Sequence, residues 1–206
     1  ARGPMRTPEG VAKMTDENND LIFYTNGSRV YAKDNSLVAQ GLNGDTTQIQ
    51  GVAILPKTTC KGCQAEYYIF TMRKNAAGEN QVYYSIYDRK LNGGKGGVSI
   101  KNQFLSPVPS AERFGVAVSG GDYYWLQTQD ADSTILRTFK VSKAGISAPI
   151  ESSAKTPVKG PTASSHFSRD GKVLAIAYVS PPSNQVDIYD FDVATGKTTF
   201  RYRISL

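Results

Sequence analysis

The tripeptide Gly-Val-Ala occurs three times in this chain, at Gly10-Val11-Ala12, Gly51-Val52-Ala53 and Gly115-Val116-Ala117. A turn-rich gap follows each copy, and then a run of aromatic and branched residues: Leu21-Ile22-Phe23-Tyr24, Tyr67-Tyr68-Ile69-Phe70 and Tyr123-Tyr124-Trp125-Leu126. A fourth unit lacks the tripeptide but keeps the later elements, with Ala163-Ser164-Ser165-His166-Phe167 leading into Val173-Leu174-Ala175-Ile176. A chain of this kind is a tandem array, and its period restricts the fold before composition is considered.

No long segment carries a helical apolar stripe. Short alternating or aromatic runs recur instead, each closed by a Gly, Asn or Asp cluster. Aligned, the units give four strands each. The first is short and small-residued, as in Gly51-Val52-Ala53-Ile54-Leu55, and the second is the aromatic run. The third ends in an aromatic before a polar turn, at Tyr31, Tyr87, Phe139 and Phe191, separated by 56, 52 and 52 residues. The turns that follow, such as Asp88-Arg89-Lys90-Leu91-Asn92-Gly93-Gly94 and Asp192-Val193-Ala194-Thr195-Gly196-Lys197, hold the Gly and Asn that positive φ angles require. A fourth strand begins at Leu37-Val38-Ala39, Val98-Ser99-Ile100, Ile146-Ser147-Ala148 and Thr198. Four antiparallel strands per unit of roughly 40–55 residues is the pattern of a β-propeller. Gly and Ala on the first strand let inner strands crowd the axis, while aromatics fill the space between blades. A β-sandwich explains the repeated turn chemistry less well.

Phe167-Ser168-Arg169-Asp170-Gly171-Lys172-Val173-Leu174-Ala175 resembles the Phe-Ser-Pro-Asp-Gly-Lys-x-Leu-Ala pattern of WD40-like and TolB-like propeller repeats, with Arg169 in place of Pro. Three further segments are Asn19-Asp20-Leu21-Ile22-Phe23-Tyr24-Thr25-Asn26-Gly27, Tyr67-Tyr68-Ile69-Phe70-Thr71 and Tyr84-Ser85-Ile86-Tyr87-Asp88-Arg89-Lys90-Leu91-Asn92-Gly93-Gly94. Their order, over most of the chain, resembles the propeller region of large secreted Bacteroidota proteins that end in gliding-motility-associated, type IX secretion sorting domains. The resemblance implies an extracellular or cell-surface setting and a scaffold or adhesion role, and carries over no catalytic residue. Propellers of that family look larger than four blades. The expectation is therefore an all-β protein: a β-propeller with four blades of four antiparallel strands, near residues 9–45, 46–108, 109–158 and 159–206, within a larger ring and a longer chain. A closed four-bladed ring is the alternative.

With 39% hydrophobic and 20% charged residues, the 206-residue chain is too apolar for disorder, and no apolar run is long enough for a spanning helix. The net charge of +6 raises the question of nucleic acid. The cations, among them Lys33, Arg73, Lys74, Arg89, Lys90, Lys95, Lys140, Lys143 and Lys172, are instead scattered beside turns, where they guard strand edges, and no nucleic-acid partner is expected. The Cys60-Lys61-Gly62-Cys63 pair lacks two further zinc ligands and a following helix. A short-range disulfide closing a hairpin loop is expected in an oxidising compartment, with free thiols as the alternative and metal or redox chemistry third.

Asp16, Asp20, Asp122 and Asp170 fall at hairpin turns, where Asp bonds its own backbone, so no metal or cofactor is expected there. Gly93-Gly94-Lys95-Gly96-Gly97 lacks phosphate-loop spacing and reads as an outer hairpin. Glu9 and Glu112-Arg113 precede Gly-Val-Ala copies, on linking loops near one channel mouth. The candidate ligand residues on that face are Glu9, Lys13, Glu112, Arg113 and His166, with no catalytic residue assigned. The expected function is a non-enzymatic scaffold or adhesion module binding protein or glycan through its loops. The alternatives are a glycan-active hydrolase or lyase and a component of a secretion or motility assembly.

Overall fold

The computed structural model describes residues 3–8, 10–60, 62–118, 121–158, 163–179 and 184–206, and every regular element among them is a strand apart from one 3₁₀ turn at Asn92–Gly94. No helix among the described residues is long and apolar enough to cross a membrane. Four antiparallel sheets follow one another along the chain. The first is β1 (Ala12–Thr15), β2 (Leu21–Thr25), β3 (Arg29–Ala32) and β4 (Leu37–Gln40), paired in that order. The second repeats it with β5 (Val52–Pro56), β6 (Glu66–Lys74), β7 (Asn80–Asp88) and β8 (Gly97–Ser106). The third has β9 (Gly115–Val118), β10 (Tyr123–Gln129) and β11 (Ile135–Ser142), with β12 (Gly145–Ile146) and β13 (Ile150–Ser153) both paired to β11. The fourth is β14 (Ala163–Phe167), β15 (Val173–Tyr178), β16 (Gln185–Phe191) and β17 (Thr198–Ser205).

The middle ladders are the regular ones: β6 and β7 pair over nine residues from Glu66–Asp88 to Lys74–Asn80 without a shift. Outer pairs carry bulges, between Val30 and Tyr31 on β3 and between Ile188 and Tyr189 on β16. Bulges twist an exposed edge away from further pairing, the usual protection of a sheet's rim.

The chain divides into two compact units, Ala1–Pro107 and Val108–Leu206, each holding two sheets. In the first unit β1 lies against β5 and β4 against β8. In the second, β9 lies against β14 and β13 against β17. Each unit thus stacks two sheets in the same sense, first strand on first strand and last on last.

The aromatic runs supply the filling between stacked sheets. In the first unit Phe23 stacks on Tyr87 at 3.9 Å and meets Tyr67 edge-on at 5.5 Å, with Ile22, Val30, Leu42 and Ile69 around them. Each such ring pair adds about 0.5–1.5 kcal/mol beyond the area it buries. In the second unit Trp125 meets Phe191 edge-on at 6.0 Å, while Leu136, Leu174, Ile176 and Tyr189 form a separate apolar cluster. Trp125 is also tethered through its indole N–H, which donates to the Val193 carbonyl at 3.0 Å.

Three sequence expectations shift in register. Gly10 and Val11 precede β1, Gly51 precedes β5, and only Gly115-Val116-Ala117 lies wholly within its strand. Phe139 stands three residues short of the end of β11, because the ladder with β10 continues to Tyr123–Ser142; the fully buried Val141 holds the place that Tyr87 holds on β7. The fourth strand of the third sheet is broken at residues 147–149, where Pro149 has no N–H to give, and resumes as β13.

The glycine of the third copy does what a small inner-strand residue is expected to do. A Cβ on Gly115 would stand 2.8 Å from Ser165 Oγ and 3.0 Å from Phe167 Cε2 on β14. Gly115→Ala is expected to force β9 and β14 apart and lower stability by about 1–3 kcal/mol. The readout is the urea midpoint at unchanged slope, and a midpoint equal to or above that of the native chain sinks the account.

Candidate functional site

The β1–β2 and β3–β4 turns of the first sheet and the β7–β8 hairpin of the second surround a crevice of about 580 Å³ within the first unit. Each wall is built by local turn chemistry. Asp16 Oδ1 accepts the backbone N–H groups of Asn18 (3.0 Å) and Asp20 (2.9 Å), which closes the first turn. Asp34 Oδ1 accepts the Ser36 N–H at 2.9 Å and its hydroxyl at 2.5 Å, and these bonds hold the Asp34 carboxyl below the usual carboxylate range. Asp20 and Lys33 complete that side.

The opposite wall is the hairpin after Tyr87. Asn92, Gly93, Gly94 and Gly96 all have positive φ, and Asn92 Nδ2 donates to the Gly96 carbonyl at 2.9 Å. Gly96 is required twice over, since a Cβ there would fall 1.8 Å from the Tyr87 hydroxyl oxygen. That hydroxyl donates to the Lys95 carbonyl at 3.2 Å, and Lys95 Nζ reaches across to Asp34 Oδ2 at 3.9 Å. The floor is apolar, from Leu21, Ile22 and Ala32. Burial pushes the Tyr67 phenol up and the Tyr87 phenol up to about 12, and the Arg89 guanidinium beside both pulls the other way.

The β5–β6 loop braces the same rim. Cys60 and Cys63 are joined by a disulfide, their Cα atoms 5.7 Å apart. The Gln64 carbonyl accepts the Tyr67 hydroxyl at 3.3 Å, and the Ala65 carbonyl accepts the Arg89 N–H at 2.9 Å.

The ligand candidates read from the sequence, where described, lie away from this crevice. Lys13 is exposed on β1 opposite Tyr24, and His166 is exposed on β14 opposite Ala175. Glu112 is half-buried ahead of β9, and Glu9 lies outside the described residues. Arg113 is 1% exposed, enclosed by the second unit's side chains instead of facing an open mouth. Its Nη2 donates to Gln129 Oε1, its guanidinium lies 5.5 Å over the Tyr178 ring, and Nε and Nη1 have no partner among the described residues. Of the described candidates, Lys13, Glu112, Arg113 and His166, none lines the crevice.

Two further turn-borne Asp residues, like Asp16, accept backbone N–H groups of their own turns. Asp170 Oδ1 accepts the Ser168 hydroxyl (2.6 Å) and the Lys172 N–H (3.1 Å), and Asp192 Oδ1 accepts the Ala194 N–H (2.9 Å). Among the described residues no group of three or more His, Cys, Asp or Glu could hold a metal ion. Read one at a time, Arg89, Lys33 and Lys95 look like solvated edge charges, and only the fold gathers them at one crevice. The signal is a cation two residues after the third-strand aromatic in the first two repeats, Lys33 after Tyr31 and Arg89 after Tyr87.

What fold and site define is an all-β repeat protein of stacked four-stranded meanders with a charged, apolar-floored crevice at one turn rim. The chain matches no protein-family model and no curated protein.

Proposed function

We propose that the four sheets are blades of a β-propeller and that the protein is a non-enzymatic, secreted or cell-surface scaffold or adhesion module, as its resemblance to Bacteroidota surface propellers implies. The repeated stacking within each unit, first strand on first and last on last, supports the blade reading. The crevice carries the binding reading: its volume falls in the roughly 300–1,000 Å³ range of small-molecule and terminal-group sites, and its walls are turn loops on a rigid sheet scaffold. The partner is a protein or glycan at the cell surface.

The hydrolase or lyase reading gains no general acid from Asp34 or from Asp16 Oδ1. A general acid needs a carboxyl raised toward neutrality, whereas the Asp34 carboxyl is lowered and Asp16 Oδ1 is committed to its own turn. The assembly-component reading draws on a different feature. Beyond its packed face, the fourth sheet presents the rows Ala175–Ile188–Tyr202 and Ala177–Val186–Ile204, with Tyr202 49% and Ile204 42% exposed. Sedimentation as a monomer at every concentration would remove that alternative.

The test of binding uses labelled protein on intact Bacteroidota cells and on their extracted envelope polysaccharide. Saturable binding is expected, lost in Asp20→Ala/Arg89→Gln and kept in Lys13→Ala. Binding that ignores the crevice substitutions, or no saturable binding, overturns the assignment.

A further inference from the structure

We infer that the crevice recognises a neutral saccharide unit, an inference that rests on reading the crevice as the binding site. Its rim carries three acceptors, Asp16, Asp20 and Asp34, and three donors, Lys33, Arg89 and Lys95, so it has no net charge. An anionic ligand would meet three carboxylates there, and a cationic one three cations. A polyol meets neither obstacle, because each hydroxyl both donates and accepts and therefore uses both kinds of group.

The remaining free valences fit the same ligand. Asp16 and Asp34 each spend Oδ1 on their own turn; Asp16 Oδ2 is left as an acceptor on a fixed loop, and Asp34 Oδ2 faces Lys95 Nζ. The Arg89 guanidinium, which also bonds the Tyr67 hydroxyl, offers its remaining N–H donors to a ligand oxygen. The half-buried Leu21 offers an apolar contact for the C–H face of a pyranose ring, while Ile22 (7% exposed) and Ala32 (2% exposed) are nearly closed off. Tyr87 contributes no stacking platform, since it is 1% exposed and its ring is already stacked on Phe23. Affinity is therefore weak per unit and rests on hydrogen bonds, which multivalent display on a polymer multiplies. The Asp34–Lys95 contact at 3.9 Å is loose enough for a ligand hydroxyl to bridge it.

The experiment is an NMR titration of the full chain, following amide shifts with methyl glycosides of glucose, galactose, mannose and N-acetylglucosamine. Glucuronate and a polyglutamate peptide serve as anionic comparators, each at low and at high salt. The expected result is saturable shifts at Asp20, Lys33 and Arg89 with a neutral glycoside, unchanged by salt. Arg89→Gln is expected to weaken binding about tenfold or more, the loss for one hydrogen bond to a charged group. Shifts given only by the anionic probes, and suppressed by salt, overturn the saccharide inference and leave the crevice standing as a binding site. No crevice shift with any probe, together with cell binding that survives Asp20→Ala/Arg89→Gln, overturns both.

Discussion

Asp187→Ala is expected to lower stability by about 3–5 kcal/mol, toward the lower figure because its partner Arg203 retains 33% side-chain exposure. Asp187 is fully buried on β16. Its carboxylate accepts Arg203 Nε at 2.7 Å and Nη2 at 3.0 Å, Thr156 Oγ1 at 2.9 Å and the Tyr189 hydroxyl at 3.3 Å. The Tyr189 oxygen in turn accepts the Lys155 N–H at 2.9 Å. One side chain thus ties the segment after β13 to the middle of the fourth sheet. Removing it strands a guanidinium and two hydroxyl donors beside an apolar cluster, and unmade buried bonds are the expensive kind. Urea unfolding checks the figure, and a loss under about 1 kcal/mol would show that water replaces the carboxylate. Asp187→Leu combined with Arg203→Met is expected to recover most of the loss, since neither charge is then left unpaired.

Arg113→Met carries the opposite sign. Arg113 is as deeply buried as Asp187, but it has no ion-pair partner among the described residues, and burial depresses its pKa. Its support is the Gln129 amide oxygen and the face of Tyr178. Gln129 is itself fixed by its Nε2, which donates to the Ser133 (2.8 Å) and Thr156 (2.9 Å) carbonyls. Methionine keeps the apolar stem and removes two unsatisfied donors and an uncompensated charge, so a gain of about 1–4 kcal/mol is expected. A thermal midpoint lowered by the substitution would show that the guanidinium is paired by more than Gln129 and Tyr178.

These two sites show which parts of the molecule were legible in the sequence. Strand number, order and turn chemistry were readable because each depends on residues a few positions apart: Asp at a turn, Gly after it, an aromatic before it. Register was less so. Phe139 keeps the 52-residue spacing yet misses its structural counterpart, because that spacing counts turns as well as strands. The crevice was illegible for a simpler reason. Asp20, Lys33 and Arg89 lie on three different turns of two sheets, and each taken alone is an ordinary exposed charge. Arg113, next to Glu112 in a linking loop, carries no local mark of burial; only the closeness of the third and fourth sheets encloses it.

The contact of Gly115 with Ser165 and Phe167 has a consequence for how such an array can change. The unit without a Gly-Val-Ala copy is the one that faces the glycine of the unit before it, so the irregular strand occupies space its neighbour has vacated. A bulkier residue at 115 demands a smaller one at 165, and a fourth Gly-Val-Ala in place of Ser165-His166-Phe167 would leave a void. These two units are therefore not interchangeable beads: duplication or reshuffling of one carries the fit of the other with it.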